Sequence, residues 1–323
     1  MYLAPDGDEI EIADAAADFL AVAMPIARLH GANSADLDAA SRQQLGTMGW
    51  FALAVPEASG GSGLSAVEHA LFFREAGRQC APVDLIAQCL AANMIGDAGL
   101  RQAVMTGAVG VALAVSDGGG VRIFGTADAV HAVIVNEDGA QLHPLAGVAA
   151  DIRPALDPVN SIRVASGLDD PIEMTTGPAC WRLGQLATAA MLVGLAEASL
   201  DLIVAYAKVR ETFGRKIGSW QAVRHPCADM AVRVEAARAQ LWYAAAALKE
   251  GRADGGVHLL AAKHLANQAA LANADATIQL HGGIGVTDEH DAHLLLKHAL
   301  LLSRLFGTRR MLLSRLLRAR LED

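Results

Sequence analysis

Apolar residues recur at helical spacing near the start of the chain, with Ile12, Ala15, Phe19, Leu20 and Ala23 on one stripe. The helical pattern holds from Asp8 to about Gly107, broken by a loop over residues 55–65 that contains Gly60, Gly61 and Gly63. Ser65 is placed to cap a helix restarting at Ala66, and the run Glu75-Ala76-Gly77-Arg78 closes it. Between about residues 108 and 179 the period changes to short β-prone runs at 109–115, 121–124, 132–135 and 161–164. Turn residues at 117–120 and 136–139 separate them, which predicts a small antiparallel β-domain of about seventy residues. From Trp181 the helical period returns, predicting helices over 183–211, 221–248 and 257–280 and a last pair after Asp291. The charged end, 318–323, is expected to fray. The expected fold class is therefore α+β and mostly α: a helical segment 1–107, a β segment 108–180 and a helical bundle 181–323.

Composition sharpens this picture in two ways. At 323 residues the chain can bury a sizeable core, and 53% hydrophobic against 19% charged residues favours closely packed helices and a buried subunit interface. Its apolar runs are short, since Leu294-Leu295-Leu296 meets Lys297-His298 and Leu300-Leu301-Leu302 meets Ser303-Arg304. No run reaches the roughly 18–20 residues of a membrane helix. The acidic start lacks a basic segment of the signal-peptide kind, so a cytoplasmic protein is expected.

Charge and candidate chemistry narrow the function classes. A net charge of −9 without a basic stripe argues against nucleic-acid binding. Cys80, Cys89, Cys180 and Cys227 have neither metal nor redox spacing and are expected to be reduced, partly buried thiols. His281, His290, His293 and His298 are spaced like a helix surface, and no metal site is expected. The glycines at 60–63 lack the Gly-Lys-Ser/Thr ending of a phosphate loop.

Several short motifs, in order, carry more. They are Met48-Gly49-Trp50, the Pro-Glu-x-x-Gly-Gly-x-Gly loop at 56–63, Arg210-Glu211-Thr212-Phe213-Gly214, Gln221, His225, Ala228-Asp229-Met230, the Gln-x-x-Gly-Gly-x-Gly loop at 279–285, and Glu289-His290-Asp291. Together they resemble the acyl-CoA dehydrogenase family over nearly the whole chain. That resemblance implies FAD bound across a dimer interface, with the C-terminal helices of one subunit holding the pyrophosphate and adenosine of its neighbour's flavin. It further implies that Arg210 meets the pyrophosphate, with Thr212 and Phe213 beside it. Ile217 and Gln221 would border the adenosine or ribitol, Gln279, Gly282 and Gly283 would face the phosphate–adenosine stretch, and Thr308 would contact flavin.

The same resemblance exposes a gap. Family members carry a Tyr-Glu-Gly-Thr element whose glutamate removes the substrate α-proton, and here the element reads Leu305-Phe306-Gly307-Thr308. A phenyl ring takes up no proton. The alternative family position, on the first long C-terminal helix, falls at Gly184-Gln185, which is no base either. The stretches that hold the flavin ring in active relatives are also reduced, to Ala112-Leu113-Ala114-Val115-Ser116-Asp117-Gly118-Gly119 and Gly125-Thr126-Ala127-Asp128-Ala129-Val130. No catalytic residue is therefore expected in this chain. The pattern resembles the shortened subunit of the actinobacterial α2β2 steroid-type acyl-CoA dehydrogenases, which implies a homologous catalytic partner, FAD shared with it, and a CoA thioester bound mainly by that partner. Three other readings remain open at this level: a displaced base among Asp288, Glu289 and Asp291, whose plainer role is capping and dipole pairing at a helix start; a flavin-free scaffold; and an oxygen-activating relative.

Overall fold

Residues 5–30, 37–116 and 118–319 are described by the structure, a computed structural model. The expected fraying of 320–323 and the turn residue Asp117 lie outside the described residues. Two compact units emerge: one takes residues up to 32, 70–80 and 185 onward, the other 33–69 and 81–184. The units thus interleave the three consecutive segments that element type alone defines.

In the first unit, α1 (Gly7–Ala23) opens with a capping box, in which Asp6 accepts from the Glu9 amide at 3.1 Å and Glu9 accepts from the Asp6 amide at 2.9 Å. The end of α3 (Ala66–Arg78) and the bulk of α6 (Ala179–Val209) belong here, as do α7 (Gln221–Lys249), α8 (Gly255–His281), α9 (Ala292–Leu302) and α10 (Arg309–Leu316). These helices fall within a few residues of those the periodicity predicts. Buried polar groups join them: Asn273 on α8 donates to the carbonyls of Ala196 on α6 and Met230 on α7, 3.2 Å each, and the Thr277 hydroxyl donates to the Ser199 carbonyl at 2.7 Å. Two glycines bring α3 and α6 into backbone contact. A Cβ on Gly194 would lie 2.0 Å from the Arg74 carbonyl oxygen, and one on Gly77 2.1 Å from that of Met191.

Composition alone makes α6 long and apolar enough to cross a membrane, a correction to the run-by-run reading. Scattered alanines and leucines reach that hydropathy without forming one unbroken run. Most of the apolar stretch is buried in the fold, as in the core helix of a packed bundle.

The second unit holds α2 (Ala39–Thr47), the start of α3, α4 (Asp84–Met94), α5 (Ala98–Met105) and a seven-stranded sheet. Ser65 starts α3 as expected: its hydroxyl accepts from the Val67 amide at 3.1 Å, and Glu68 accepts from the Ser65 amide at 2.8 Å. The strands are β1 (Val111–Ser116), β2 (Val121–Phe124), β3 (His131–Asn136), β4 (Gly139–Pro144), β5 (Ala150–Arg153), β6 (Ile162–Ala165) and β7 (Glu173–Thr176), in the order β5-β6-β2-β1-β3-β4-β7. The sheet is mixed, because β1 and β3 pair in parallel from Val111↔His131 to Ala114↔Ile134. This corrects the antiparallel expectation: β2 takes one edge of β1, so the chain crosses over to reach the other. Helix α4, buried along nearly its whole length, packs on the sheet. Buried Gln88 fixes it there by donating to the carbonyls of Val104 (2.8 Å) and Val109 (2.6 Å) and accepting from the Val111 amide (3.1 Å).

Candidate functional site

The clearest cluster sits at the end of α6 in the first unit. After Val209 the chain turns through a two-strand hairpin, β8 (Glu211–Thr212) and β9 (Arg215–Lys216), paired Glu211↔Lys216 and Thr212↔Arg215. Its two loop residues, Phe213 (φ +51°) and Gly214 (φ +79°), are both left-handed, the geometry that matches hairpin twist. Glycine adopts it freely, but a phenylalanine does so at a cost and here points into solvent, 94% exposed. The hairpin is nonetheless well held. The Ile217 amide donates to the Arg210 carbonyl at 2.8 Å, Lys216 pairs with Glu211 at 2.6 Å, and the Arg215 guanidinium lies over the Trp220 ring, 3.3 Å from its centre. Arg210 itself is exposed, and its guanidinium makes no hydrogen bond or ion pair among the described residues.

The glycine loop reaches the same end of the unit. Tyr206, one turn before Arg210, stacks on His281 at the last position of α8, ring centres 4.5 Å apart. Gly282 follows with positive φ in a region open essentially only to glycine (φ +67°, ψ −146°) and donates its amide to the Gln279 carbonyl. Side chains added at Gly282 or Gly283 would meet nothing within 4 Å, so the backbone lies open to an approaching group. Of the residues named from sequence, Arg210, Phe213, Gln221, Gln279, Gly282 and Gly283 are exposed, Thr212 is half-buried and Ile217 is buried beneath the hairpin. An unpaired guanidinium for phosphate, a glycine backbone that permits close approach and a solvent-facing phenyl for stacking together suit the pyrophosphate and adenosine end of a dinucleotide.

Thr308 belongs elsewhere. Its hydroxyl caps α10, accepting from the Met311 amide, and it lines a separate cleft with Arg233, Arg304 and Arg309. None of the hairpin or glycine-loop residues lines that cleft.

Phe306 is 6% exposed, so its ring fills core where a carboxylate would need access to substrate. Its backbone is left-handed (φ +52°), and a polar network that sequence reading missed pins the turn. Gln185 donates to the Phe306 carbonyl at 2.7 Å and Asn267 to the Gly307 carbonyl at 3.3 Å. Fully buried Lys263 donates to Asn267 Oδ1 at 3.1 Å and to the Leu302 carbonyl at 2.8 Å, and burial holds its amine well below the usual lysine range. Gly184 lies buried within α6.

The acidic group 288–291 is engaged otherwise than expected. Asp291 stands at the start of α9 without a side-chain capping bond, which corrects the capping expectation for it. Its carboxylate instead meets His30 Nε2 at 2.5 Å, while His30 Nδ1 lies 2.7 Å from the Asp288 carbonyl. Two acceptors at its two nitrogens favour the protonated ring, and the Asp291 bond raises the His30 pKa above its usual value. No group of three metal-ligating side chains forms among the described residues.

Comparison with known proteins agrees with the motifs. The acyl-CoA dehydrogenase C-terminal domain matches residues 181–321, and the acyl-CoA dehydrogenase N-terminal domain matches 6–103. Acyl-CoA dehydrogenase IpdE2 of Mycobacterium tuberculosis is 34% identical over 288 residues, covering 83% of this chain and 82% of that one. Acyl-CoA dehydrogenase FadE34 of the same organism is 36% identical over 278 residues; the match takes 79% of this chain but 38% of FadE34. Among solved structures, the Tcur3481-Tcur3483 steroid ACAD G363A variant superposes with a TM-score of 0.80 at 26% identity, over 96% of this chain and 97% of that one.

Proposed function

This chain belongs to the acyl-CoA dehydrogenase family, and on that premise we propose that it is the base-lacking subunit of a heteromeric, FAD-dependent acyl-CoA dehydrogenase. The observation that carries the proposal is Phe306, a buried phenyl on a turn that Gln185 holds through the Phe306 backbone carbonyl, at the position where the family keeps its proton-abstracting glutamate. At the adenosine end, by contrast, the residues the family motif names are present, and most of them are exposed. Arg210 lies ready to pair with the pyrophosphate through its planar fork, and the open backbone at Gly282 and Gly283 admits close approach. Phe213, held out of the hairpin, offers its face to the adenine of a flavin whose ring lies in the partner subunit.

FAD, when bound, accepts the β-hydrogen as hydride in the α,β-desaturation of a CoA thioester. In this reading the partner contributes the base and the ring pocket, while this chain binds and orients the other end of the cofactor. Of the acids that could serve as a displaced base, Asp291 is engaged by His30. The two-component name Tcur3481-Tcur3483 supports a two-chain enzyme, and its description as a steroid ACAD supports a steroid-derived acyl group. FadE34 adds a second line of support, since more than half of its length lies outside the match, with room for a partner domain in the same polypeptide.

Arg210→Ala tests the assignment. The variant should lower the flavin content of the complex formed with a homologous catalytic subunit while its far-ultraviolet circular dichroism stays unchanged. Full flavin retention would refute the role given to Arg210. Phe306→Glu should leave the isolated chain without dehydrogenase turnover, and robust turnover would show that the chain builds a ring pocket of its own.

A further inference from the structure

Histidines stand at both ends of the glycine loop. His281 closes α8, the turn Gly282–Val286 follows, and His290 stands just before α9. The rings of Tyr206, His281 and His290 form one column, with 4.5 Å between the centres of the first pair and 4.3 Å between those of the second. Hydrogen bonding fixes where the protons sit. His281 Nδ1 lies 2.8 Å from the Thr277 carbonyl, which can only accept, so Nδ1 carries the proton. Its Nε2 is buried and has no hydrogen-bond partner among the described residues, in a side chain only 5% exposed. His290 Nδ1 accepts from the Ala292 amide at 3.1 Å, so that nitrogen is bare and holds the first turn of α9.

A proton added to either ring breaks this arrangement. On His281 it would sit at buried Nε2, where Tyr206 offers a π face but no acceptor. On His290 it would sit at Nδ1 and expel the Ala292 amide. Two charged rings would then face each other at 4.3 Å, within reach of His30, which Asp288 and Asp291 already hold protonated. Asp291 also favours charge on His290, but its carboxylate is spent on His30. The remaining neighbour is His293, on which Lys297 and Asp288 act. We propose that the column is a pH-sensitive staple on the glycine loop, closed while His281 and His290 are neutral and opened by mild acid. Burial lowers the pKa of both rings, so their contribution is full above the ordinary value near 6.5 and is lost as pH falls through the lower folded values. His30 works in the opposite sense, and acid leaves its ion pair with Asp291 intact. On the reading that the backbone at Gly282 and Gly283 serves flavin, opening the loop releases the cofactor.

The test is hydrogen–deuterium exchange of residues 282–291 in the full-length chain between about pH 7.5 and pH 5, corrected for the intrinsic rate. Opening should increase more than about threefold, and at most about thirtyfold per imidazole, the ceiling for a histidine of ordinary pKa in the open state. His281→Phe keeps a ring in the column but takes no proton, and should cut this response by about half or more. The inference is overturned if the loop shows no acid response beyond that of the surrounding helices, or if the response is undiminished in His281→Phe. Nuclear magnetic resonance titration of the parent chain decides the matter even where the variant does not fold: His281 and His290 should titrate below His30, and the reverse order overturns the inference. Flavin content of the complex with a homologous catalytic subunit, followed over the same range, tests the underlying reading separately. A loop that opens in acid while flavin stays bound would refute the role given to Gly282 and Gly283 and support the staple.

Discussion

Phe306 permits a prediction whose sign differs from the usual one. Its phenyl ring is nearly fully buried, and a ring so placed keeps about 150–250 Å² from water. At about 25 cal/mol/Å² that is roughly 4–6 kcal/mol, part of which an alanine methyl would retain. Phe306→Ala should therefore cost about 3–5 kcal/mol, the range of buried Phe→Ala changes. The backbone is left-handed at φ +52°, however, which strains any residue with a Cβ by about 1–2 kcal/mol. Phe306→Gly loses the same ring but releases that strain. The glycine variant should thus be more stable than the alanine variant by about 1 kcal/mol, whereas glycine is normally the worse of the two. Urea unfolding of the two variants, followed by circular dichroism at matched protein concentration, measures the difference directly. A glycine variant no more stable than the alanine variant would refute the left-handed turn at Phe306.

Two other predictions rest on packing and charge. Gly194→Ala should destabilise by about 2 kcal/mol or more, because its Cβ would lie 2.0 Å from the Arg74 carbonyl oxygen and force α3 and α6 apart; a thermal midpoint matching that of the parent chain would contradict the close crossing. His30 has its pKa raised by the Asp291 bond, so its contribution is fully present below the ordinary histidine value near 6.5 and is lost as pH rises through the higher folded value. The parent chain should lose more stability than His30→Gln across that window, and a histidine titrating below 6.5 by nuclear magnetic resonance would contradict the geometry.

Helices were legible in the sequence because alanine and leucine stripes run long enough to show their period, as in α6, α7 and α8. Strands β4, β5 and β7 were not. The first contains Gly139 and Pro144, the second is four residues at a sheet edge, and the third is four polar or half-exposed residues with only Thr175-Thr176 β-branched, so none shows an apolar β-branched run. Nor does a local pattern reveal the parallel β1–β3 pair, since which strand edge is free depends on β2 having already taken the other. At the candidate site, the hairpin and the glycine loop stood out because each is a contiguous motif. The Gln185, Asn267 and Lys263 network did not, since its members lie on different helices and meet only in the fold. Arg215 and Trp220 offered a weak signal, an arginine and an aromatic flanking a Phe-Gly turn.

The central claim is that this chain completes a flavin site it does not own. The measurement is flavin per polypeptide together with native mass, for the chain alone and for the chain co-expressed with a homologous catalytic subunit. The account predicts a lone chain nearly free of flavin and a complex with about one FAD for each pair of unlike chains. One FAD per chain in the lone protein would contradict it.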